Sequence, residues 1–282
     1  MPWQGQLAGA GAEQAAATSP RAMPALHDLG LKSGTDKASL HQYLFFYEPL
    51  LAHLRDVSFD MLEVGVNREA SLKMWDAFFP SARVFGADVN HYKSDRILKL
   101  DQSKQEDIER VASMRPWRLV IDDGSHKPSH QLATFLAFFP RMPAGATYII
   151  EDVEISYWAP CDARNALGMY RWDLGSDGVD IVGMFRDAVD SALNSHLVCP
   201  SSAAAAPVFG KAIDETIGTV SFMRNSIVIY KAPTGYRHFH KLKWGNQLHC
   251  GRSLNGTGPR SGYLATARPR LQQQRVTNAR CD

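Results

Sequence analysis

Two apolar runs that each end in a pair of carboxylates constrain this chain more than any other feature. Residues 119–121 lead directly into Asp122-Asp123-Gly124-Ser125-His126, and further along residues 148–150 lead into Glu151-Asp152. Buried parallel strands read as short apolar runs, and ligands of open α/β sheets bind at the carboxyl ends of such strands. Four carboxylates and an imidazole at two neighbouring strand ends therefore predict a site for a hard divalent cation with a base beside it.

Strand-like and helix-like segments alternate along the chain. Apolar patterning predicts five strands separated by helices, at residues 59–64, 83–87, 97–100, 118–122 and 147–151. A helix capped by Ser39 is predicted to run to Leu54, and a later helix covers residues 178–195. Two last strands, 218–223 and 226–231, are joined by a tight turn. This order predicts an α/β fold with a mainly parallel sheet, helices on both faces and a terminal antiparallel pair.

Charge is divided unevenly along the chain. The 282 residues carry a formal net charge of +2, yet residues 233–282 hold nine Lys or Arg and one acid, leaving 22 basic and 28 acidic residues elsewhere. We expect a disordered Ala- and Gly-rich extension at 1–27, one domain at 28–232 and a flexible basic tail at 233–282. The aromatic residues of the tail are too sparse for a stacking platform, so no nucleic-acid partner is expected.

The cysteines and the hydropathy indicate a cytoplasmic chain. Cys161, Cys199, Cys250 and Cys281 form neither a CxxC pair nor a zinc-ligand spacing, which favours reduced thiols. No apolar run reaches the length of about 18 residues that a membrane span requires. Import into an organelle through the Ala-rich N-terminus is the minority alternative, because Arg21 is the sole basic residue there.

The ends of the first three strands indicate an adenosine-containing cofactor. Glu63-Val64-Gly65-Val66 has a single glycine and lacks the GxGxxG pattern of a diphosphate cradle, although Gly65 permits close backbone approach. Asp88 lies where a carboxylate accepts both ribose hydroxyls, and Asp101-Gln102 lies where an adenine amino group is expected. Each alone could be a turn or helix cap. Together they favour S-adenosylmethionine (SAM), with Glu63, Gly65, Asp88, Asp101 and Gln102 as its binding residues.

Several short motifs carry a resemblance to a known family. They are Gly34-Thr35-Asp36-Lys37, Leu62-Glu63-Val64-Gly65-Val66, Gly86-Ala87-Asp88, Asp101-Gln102-Ser103, Ile121-Asp122-Asp123-Gly124-Ser125-His126 and Ile150-Glu151-Asp152. They resemble the class I SAM-dependent methyltransferases, and more closely the metal-dependent O-methyltransferases that act on macrolide sugars (the mycinamicin type) and the related cephalosporin-biosynthesis protein. The resemblance covers roughly residues 30–232, and the motifs of the fourth and fifth strands are its most specific part.

The resemblance implies a Rossmann-like sheet with strand order 3-2-1-4-5-7-6. It also implies that Asp123, Glu151 and Asp152 bind Mg²⁺ and that His126 is the general base. Whether Asp122 faces the metal or the cofactor is left open. The implied partner is a hydroxylated small-molecule acceptor, such as a sugar or another natural product, and a homo-oligomer is compatible with the sequence.

Two other functions are compatible with the same residues. A SAM-binding protein without transfer activity is one, because the loop after the first strand is poor in glycine. A metal-dependent hydroxylase or hydrolase is the other. A hydroxylase would need a 2-His-1-carboxylate iron site, and the geometry of His126 and His130 on one loop and helix fits such a site poorly.

Overall fold

The strands form one seven-stranded sheet. The computed structural model describes residues 25–90, 94–157, 179–194 and 206–236. The strands are β1 (Asp60–Val64), β2 (Arg83–Asp88), β3 (Ile97–Lys99), β4 (Leu119–Asp122), β5 (Thr147–Glu151), β6 (Ile217–Met223) and β7 (Ser226–Lys231). They lie in the order β3-β2-β1-β4-β5-β7-β6, and β7 runs antiparallel to β5 and β6 while the other pairs are parallel. The predicted α/β fold class, terminal hairpin and strand order are confirmed.

Helices cover both faces of the sheet, as predicted. The helices are α1 (Leu26–Ser33), α2 (Asp36–Ser39), α3 (Leu44–Leu51), α4 (Ala70–Phe78), α5 (Gln105–Ala112), α6 (Pro128–Phe138), α7 (Ile181–Ala188, continued by a π-helical turn at Val189–Leu193) and α8 (Lys211–Asp214), with 3-10 turns at Ala52–Leu54, Phe139–Arg141 and Val153–Ser156. Successive residues of a strand point to opposite faces of the sheet and pack into two separate hydrophobic cores. Leu62 packs with Phe135 of α6 on one face, and Met61 packs with Trp75 of α4 on the other.

The predicted start of the helix capped by Ser39 is wrong. Ser39 is the last residue of α2, and α3 begins only at Leu44. Between them Gln42 has φ of 58°, a left-handed conformation that an α-helix does not contain. The apolar spacing of this segment hid the break, because Ala38 before it and Tyr43 and Leu44 after it are all buried.

The strand register brings the polar strand ends to one edge. Val64 pairs with Asp122 and Asp122 pairs with Ile150, so Gly65, Asp123 and Glu151 follow at the same level. Ser226 pairs with Glu151 at the start of β7, which places the β6–β7 turn beside Asp152. Pro128 opens α6 as the N1 residue predicted from its fixed φ.

Parts of the predicted domain organisation lie outside the described residues. These parts are residues 1–24 of the N-terminal extension, residues 237–282 of the basic tail and all four cysteines. The bounds at 28 and 232 stay a prediction, since α1 already begins at Leu26. Within the described ranges no helix is both long enough and apolar enough to cross a membrane.

Candidate active site

A cavity of about 580 Å³ opens at the carboxyl ends of the parallel strands. Gly65 and Asp88 line one part of it, and Asp123, His126 and Asp152 line another. The segment from Gly34 to Lys37, which precedes and enters α2, closes one side. Since the edge of an open α/β sheet where strand order reverses is the usual ligand site of such folds, the cavity lies where a ligand is expected.

Two carboxylates and one imidazole form a group suited to a metal ion. One ligand atom each from Asp123, His126 and Asp152 lies within 4.8 Å of the others. The Nε2 atom of His126 is 3.1 Å from Oδ1 of Asp123 and 3.5 Å from Oδ2 of Asp152. These are three of the four residues for which the sequence predicts metal or base chemistry, and the structure brings them together.

Left-handed backbone conformations concentrate at this group. His126 has φ of 57°, Asp152 has φ of 51° and Asn225 has φ of 50°. Non-glycine residues rarely adopt such angles, and conformations of this kind cluster at functional sites where packing maintains them. His126 and Asn225 both contact the carboxylate of Asp152, which is the third residue with this conformation.

The second oxygen of Asp152 is held by residues that the sequence reasoning missed. Tyr43 donates its hydroxyl hydrogen to Oδ1, and Asn225 donates from Nδ2 to the same oxygen at 2.9 Å. His41 lies near it, with Nδ1 at 3.6 Å, and its ring stacks on Tyr43. The turn position of Asn225, next to the strand that pairs with β5, is the sequence signal that could have identified it.

Lys37 is the other residue that the sequence reasoning did not place in the site. Its side chain is buried, and Nζ lies 2.5 Å from Oδ2 of Asp123, 2.5 Å from Oε2 of Glu151 and 3.1 Å from Oε1 of Glu63. The ammonium therefore joins three strand ends. Its sequence signal was present in the Gly34-Thr35-Asp36-Lys37 motif.

Glu151 is the predicted metal ligand that lies outside the group of three. One of its oxygens accepts from Lys37, while Oε1 is buried and has no hydrogen-bond partner in the described part of the chain. A buried carboxylate oxygen without a partner is costly, and a cation in the adjoining cavity would satisfy it. The donor set of carboxylate oxygens fits Mg²⁺, which prefers oxygen ligands; the assignment of Glu151 as a ligand stays a prediction.

The ionisable residues of the site differ in the direction and cause of their pKa shifts. Burial alone would raise the pKa of Asp123, but Lys37 and His126 outweigh burial and lower it to about 2. Burial raises the pKa of Glu151; Lys37 opposes that rise, while the negative charges of Asp123 and Glu63 add to it. Burial opposes the charge on His126, yet Asp123 and Asp152 raise its pKa to about 9. The two carboxylates therefore favour the protonated form of His126.

Gly65 and Asp88 occupy the cofactor end of the cavity. Asp88 is 7% exposed and accepts hydrogen bonds from the backbone nitrogens of Val66 and Asn90 at 3.1 and 2.8 Å, which fixes its carboxylate with lone pairs to spare. Gly65 has φ of 83°, and a Cβ there would lie 1.9 Å from the carbonyl oxygen of Asp123. Glu63 is fully buried beneath this end and pairs with Lys37.

Asp101 and Gln102 do not line the cavity, although the sequence places them with the cofactor. Asp101 Oδ1 accepts from the backbone nitrogen and hydroxyl of Ser103, which lowers the Asp101 pKa. Gln102 is buried and donates to Asp122 at 2.8 Å while accepting from the Ser125 backbone nitrogen at 2.8 Å. Asp122 is likewise fully buried and outside the cavity lining. Gln102 therefore braces the loop that carries Asp123 and His126.

Comparison with known proteins identifies relatives of this arrangement. The chain is 29% identical over 242 residues, 81% of this chain and 60% of the relative, to the 8-demethyl-8-alpha-L-rhamnosyl tetracenomycin-C 2'-O-methyltransferase of Streptomyces olivaceus. It is 35% identical over 193 residues, 62% of this chain and 50% of the relative, to the L-olivosyl-oleandolide 3-O-methyltransferase of Streptomyces antibioticus. The chain thus spans about half to three fifths of the length of these curated relatives, and no protein-family model matches it.

A solved structure shares the fold. The MycE methyltransferase of the mycinamycin pathway, in complex with Mg and SAH, superposes with a TM-score of 0.62 and 26% identity, covering 78% of this chain and 57% of that chain. The chain therefore has the Rossmann-like fold of the class I methyltransferases. The more particular resemblance predicted from its motifs, to O-methyltransferases of macrolide sugars, is confirmed by these relatives.

Proposed function

We propose that this chain is a SAM-dependent, Mg²⁺-dependent O-methyltransferase that acts on a hydroxyl group of a sugar or another natural product. The observation that carries the proposal is a single cavity with Asp88 at one end and Asp123, His126 and Asp152 at the other. The curated relatives are sugar O-methyltransferases by name, and the MycE structure contains Mg and SAH. Because the chain spans about half the length of several relatives, its own activity and acceptor are part of the proposal.

The residues of the cavity divide the work of methyl transfer. Asp88 would accept hydrogen bonds from the cofactor ribose, and Gly65, which has no side chain and lines the cavity, would let the backbone approach the cofactor closely. Asp123, Asp152 and Glu151 would hold the metal ion, which when bound supplies Lewis acidity that makes an acceptor hydroxyl more acidic. His126 lies beside the same carboxylates, within reach of a proton released there.

The contacts that shift the pKa of His126 are compatible with its proposed role as the base. Asp123 and Asp152, the carboxylates that raise its pKa to about 9, are also two of the proposed metal ligands. A divalent cation on those carboxylates opposes a charge on His126. A cation held there would therefore favour the neutral imidazole, which is the form that accepts a proton.

Methyl transfer from labelled SAM tests the proposal. The purified chain is incubated with rhamnosyl and olivosyl glycosides that carry free neighbouring hydroxyls, with Mg²⁺ and with EDTA, and labelled product is counted. We expect transfer that EDTA abolishes and Mg²⁺ restores. Transfer that survives chelation would remove the metal from the function. SAM binding by calorimetry without transfer to any acceptor would instead favour a SAM-binding protein that lacks activity.

A further inference from the structure

Each carboxylate of the site has one oxygen that the protein already holds. Oδ2 of Asp123 and Oε2 of Glu151 both accept from the ammonium of Lys37, and Oδ1 of Asp152 accepts from Tyr43 and Asn225. The opposite oxygens are differently placed. Oδ1 of Asp123 is hydrogen-bonded to Nε2 of His126, Oδ2 of Asp152 lies 3.5 Å from the same nitrogen, and Oε1 of Glu151 has no hydrogen-bond partner among the described residues.

We propose that Lys37 is a positioning residue that restricts Asp123 and Glu151 to one ligand oxygen each and thereby makes the site prefer Mg²⁺ over Ca²⁺. This inference rests on the proposed metal site and adds to it the identity of the residue that selects the ion. Lys37 suits the task because its ammonium has three hydrogens and three carboxylate partners, on Glu63, Asp123 and Glu151. The side chain is buried, so water does not compete for these contacts.

The two ions differ in how they use carboxylates. Mg²⁺ requires near-octahedral geometry at about 2.0–2.1 Å and keeps several waters, so single oxygens from a few carboxylates suit it. Ca²⁺ takes about 6–8 oxygens at about 2.3–2.6 Å and often binds a carboxylate through both oxygens. A site whose second oxygens already accept from Lys37, Tyr43 and Asn225 offers Ca²⁺ a bidentate carboxylate only in competition with an existing hydrogen bond.

Calorimetric titration of the full chain with MgCl₂ and with CaCl₂ tests this inference. We expect the wild-type chain to bind Mg²⁺ more tightly. Loss of the Lys37 ammonium also removes a positive charge that repels both cations, so the readout is the ratio of the two affinities. In Lys37→Met we expect this ratio to shift toward Ca²⁺ by about tenfold, because the released oxygens become available as bidentate ligands.

A second buried lysine provides a matched control. Nζ of Lys231 donates to the backbone carbonyls of Phe139, Pro140 and Met142, and the residue lies at the end of β7 opposite the cavity. Lys231→Met removes an ammonium with satisfied hydrogen bonds but touches no proposed metal ligand. We expect this variant to lose stability and to keep the wild-type ratio of Mg²⁺ to Ca²⁺ affinity.

A second pair of variants keeps the inference testable if Lys37→Met does not fold. Glu63→Gln removes one buried charge while Lys37 still contacts Asp123 and Glu151, so its ion preference should match the wild type. The double variant Lys37→Met/Glu63→Gln lowers the uncompensated charge and should show the shift toward Ca²⁺. If a folded variant that lacks Lys37 kept the wild-type ratio of Mg²⁺ to Ca²⁺ affinity, the role of Lys37 would be overturned and the proposed metal site would remain. A wild-type chain that binds neither ion would overturn the metal site and the inference with it.

Discussion

His126 has the contacts expected of a base that shares its site with a metal ion. Its Nε2 atom lies 3.1 and 3.5 Å from the carboxylates of Asp123 and Asp152. His130, on the same segment, instead contacts the hydroxyl of Ser125 through Nδ1 at 2.8 Å. We expect His126→Ala to lower kcat by about 10²–10⁴-fold, the usual contribution of general base catalysis, with SAM affinity little changed. His130→Ala is the control, and equal losses in both variants would argue against a special role for His126.

Asp122 is the residue for which the structure predicts a clear dependence on pH. Burial raises its pKa from 3.8 to about 7, although hydrogen bonds from Gln102 and Tyr148 oppose the rise. Between these values the folded chain keeps a proton that the unfolded chain has released. This residue therefore removes stability as pH rises from about 4 to 7, by at most about 1.4 kcal/mol per pH unit.

Asp122→Asn should remove that dependence, because an amide keeps the shape of the side chain and does not ionise. The measurement is urea unfolding in EDTA at several pH values. We expect the variant to gain stability relative to wild type as pH rises toward 7 and to change little above it. Parallel stability curves over this range would show that Asp122 keeps an ordinary pKa in the folded chain.

The β6–β7 hairpin contributes to the site through its turn. Asn225 adopts φ of 50° and donates from Nδ2 to Asp152 at 2.9 Å, while its carbonyl oxygen accepts from the Val153 backbone nitrogen at 3.4 Å. Asn225→Gly keeps the backbone conformation accessible and removes only the amide, so we expect metal affinity to fall about tenfold with little loss of stability. Calorimetry with Mg²⁺ and thermal unfolding in EDTA separate these two effects.

Asn225→Ala tests the backbone contribution of the same turn. It removes the amide and also places a Cβ in the left-handed region, which costs about 1–2 kcal/mol. We expect Asn225→Ala to bind Mg²⁺ as weakly as Asn225→Gly does and to melt at a lower temperature than Asn225→Gly. If Asn225→Gly bound Mg²⁺ as tightly as wild type, the turn would serve only to connect the two strands.

The sequence predicts those parts of the site whose positions follow from the topology of the sheet. Parallel strands end at one edge, so the sequence alone placed Asp88, Asp123 and Asp152 around a common cavity. Lys37 lines that cavity from α2, and Asn225 contacts Asp152 from the terminal hairpin. Their motif and turn are visible in the sequence, but the contacts they make depend on tertiary packing between segments far apart in the chain. Gln102 lies outside the cavity lining for a related reason, and its role toward the cofactor stays a prediction. A strand end fixes where a residue lies, whereas the neighbouring loop decides which way its side chain points.

Gly65 connects the cofactor end of the cavity to the metal end, because its backbone packs directly against the loop after β4. A Cβ at this position would lie 1.9 Å from the Asp123 carbonyl oxygen and 2.9 Å from Cα of Gly124. Since both atoms are backbone, the two loops must move apart. We therefore expect Gly65→Ala to weaken SAH binding and Mg²⁺ binding together, in addition to the cost of a left-handed alanine.

Gly235→Ala separates the steric effect at Gly65 from backbone strain. Gly235 has φ of 87°, has no atom within 4 Å of an added Cβ and does not line the cavity. It should lose about 1–2 kcal/mol of stability and bind both ligands as the wild type does. Thermal unfolding and calorimetry with SAH and Mg²⁺ compare the two variants. If Gly65→Ala lost affinity for SAH alone, the two ends of the cavity would be independent, and the carboxylates would not depend on the cofactor loop for their position.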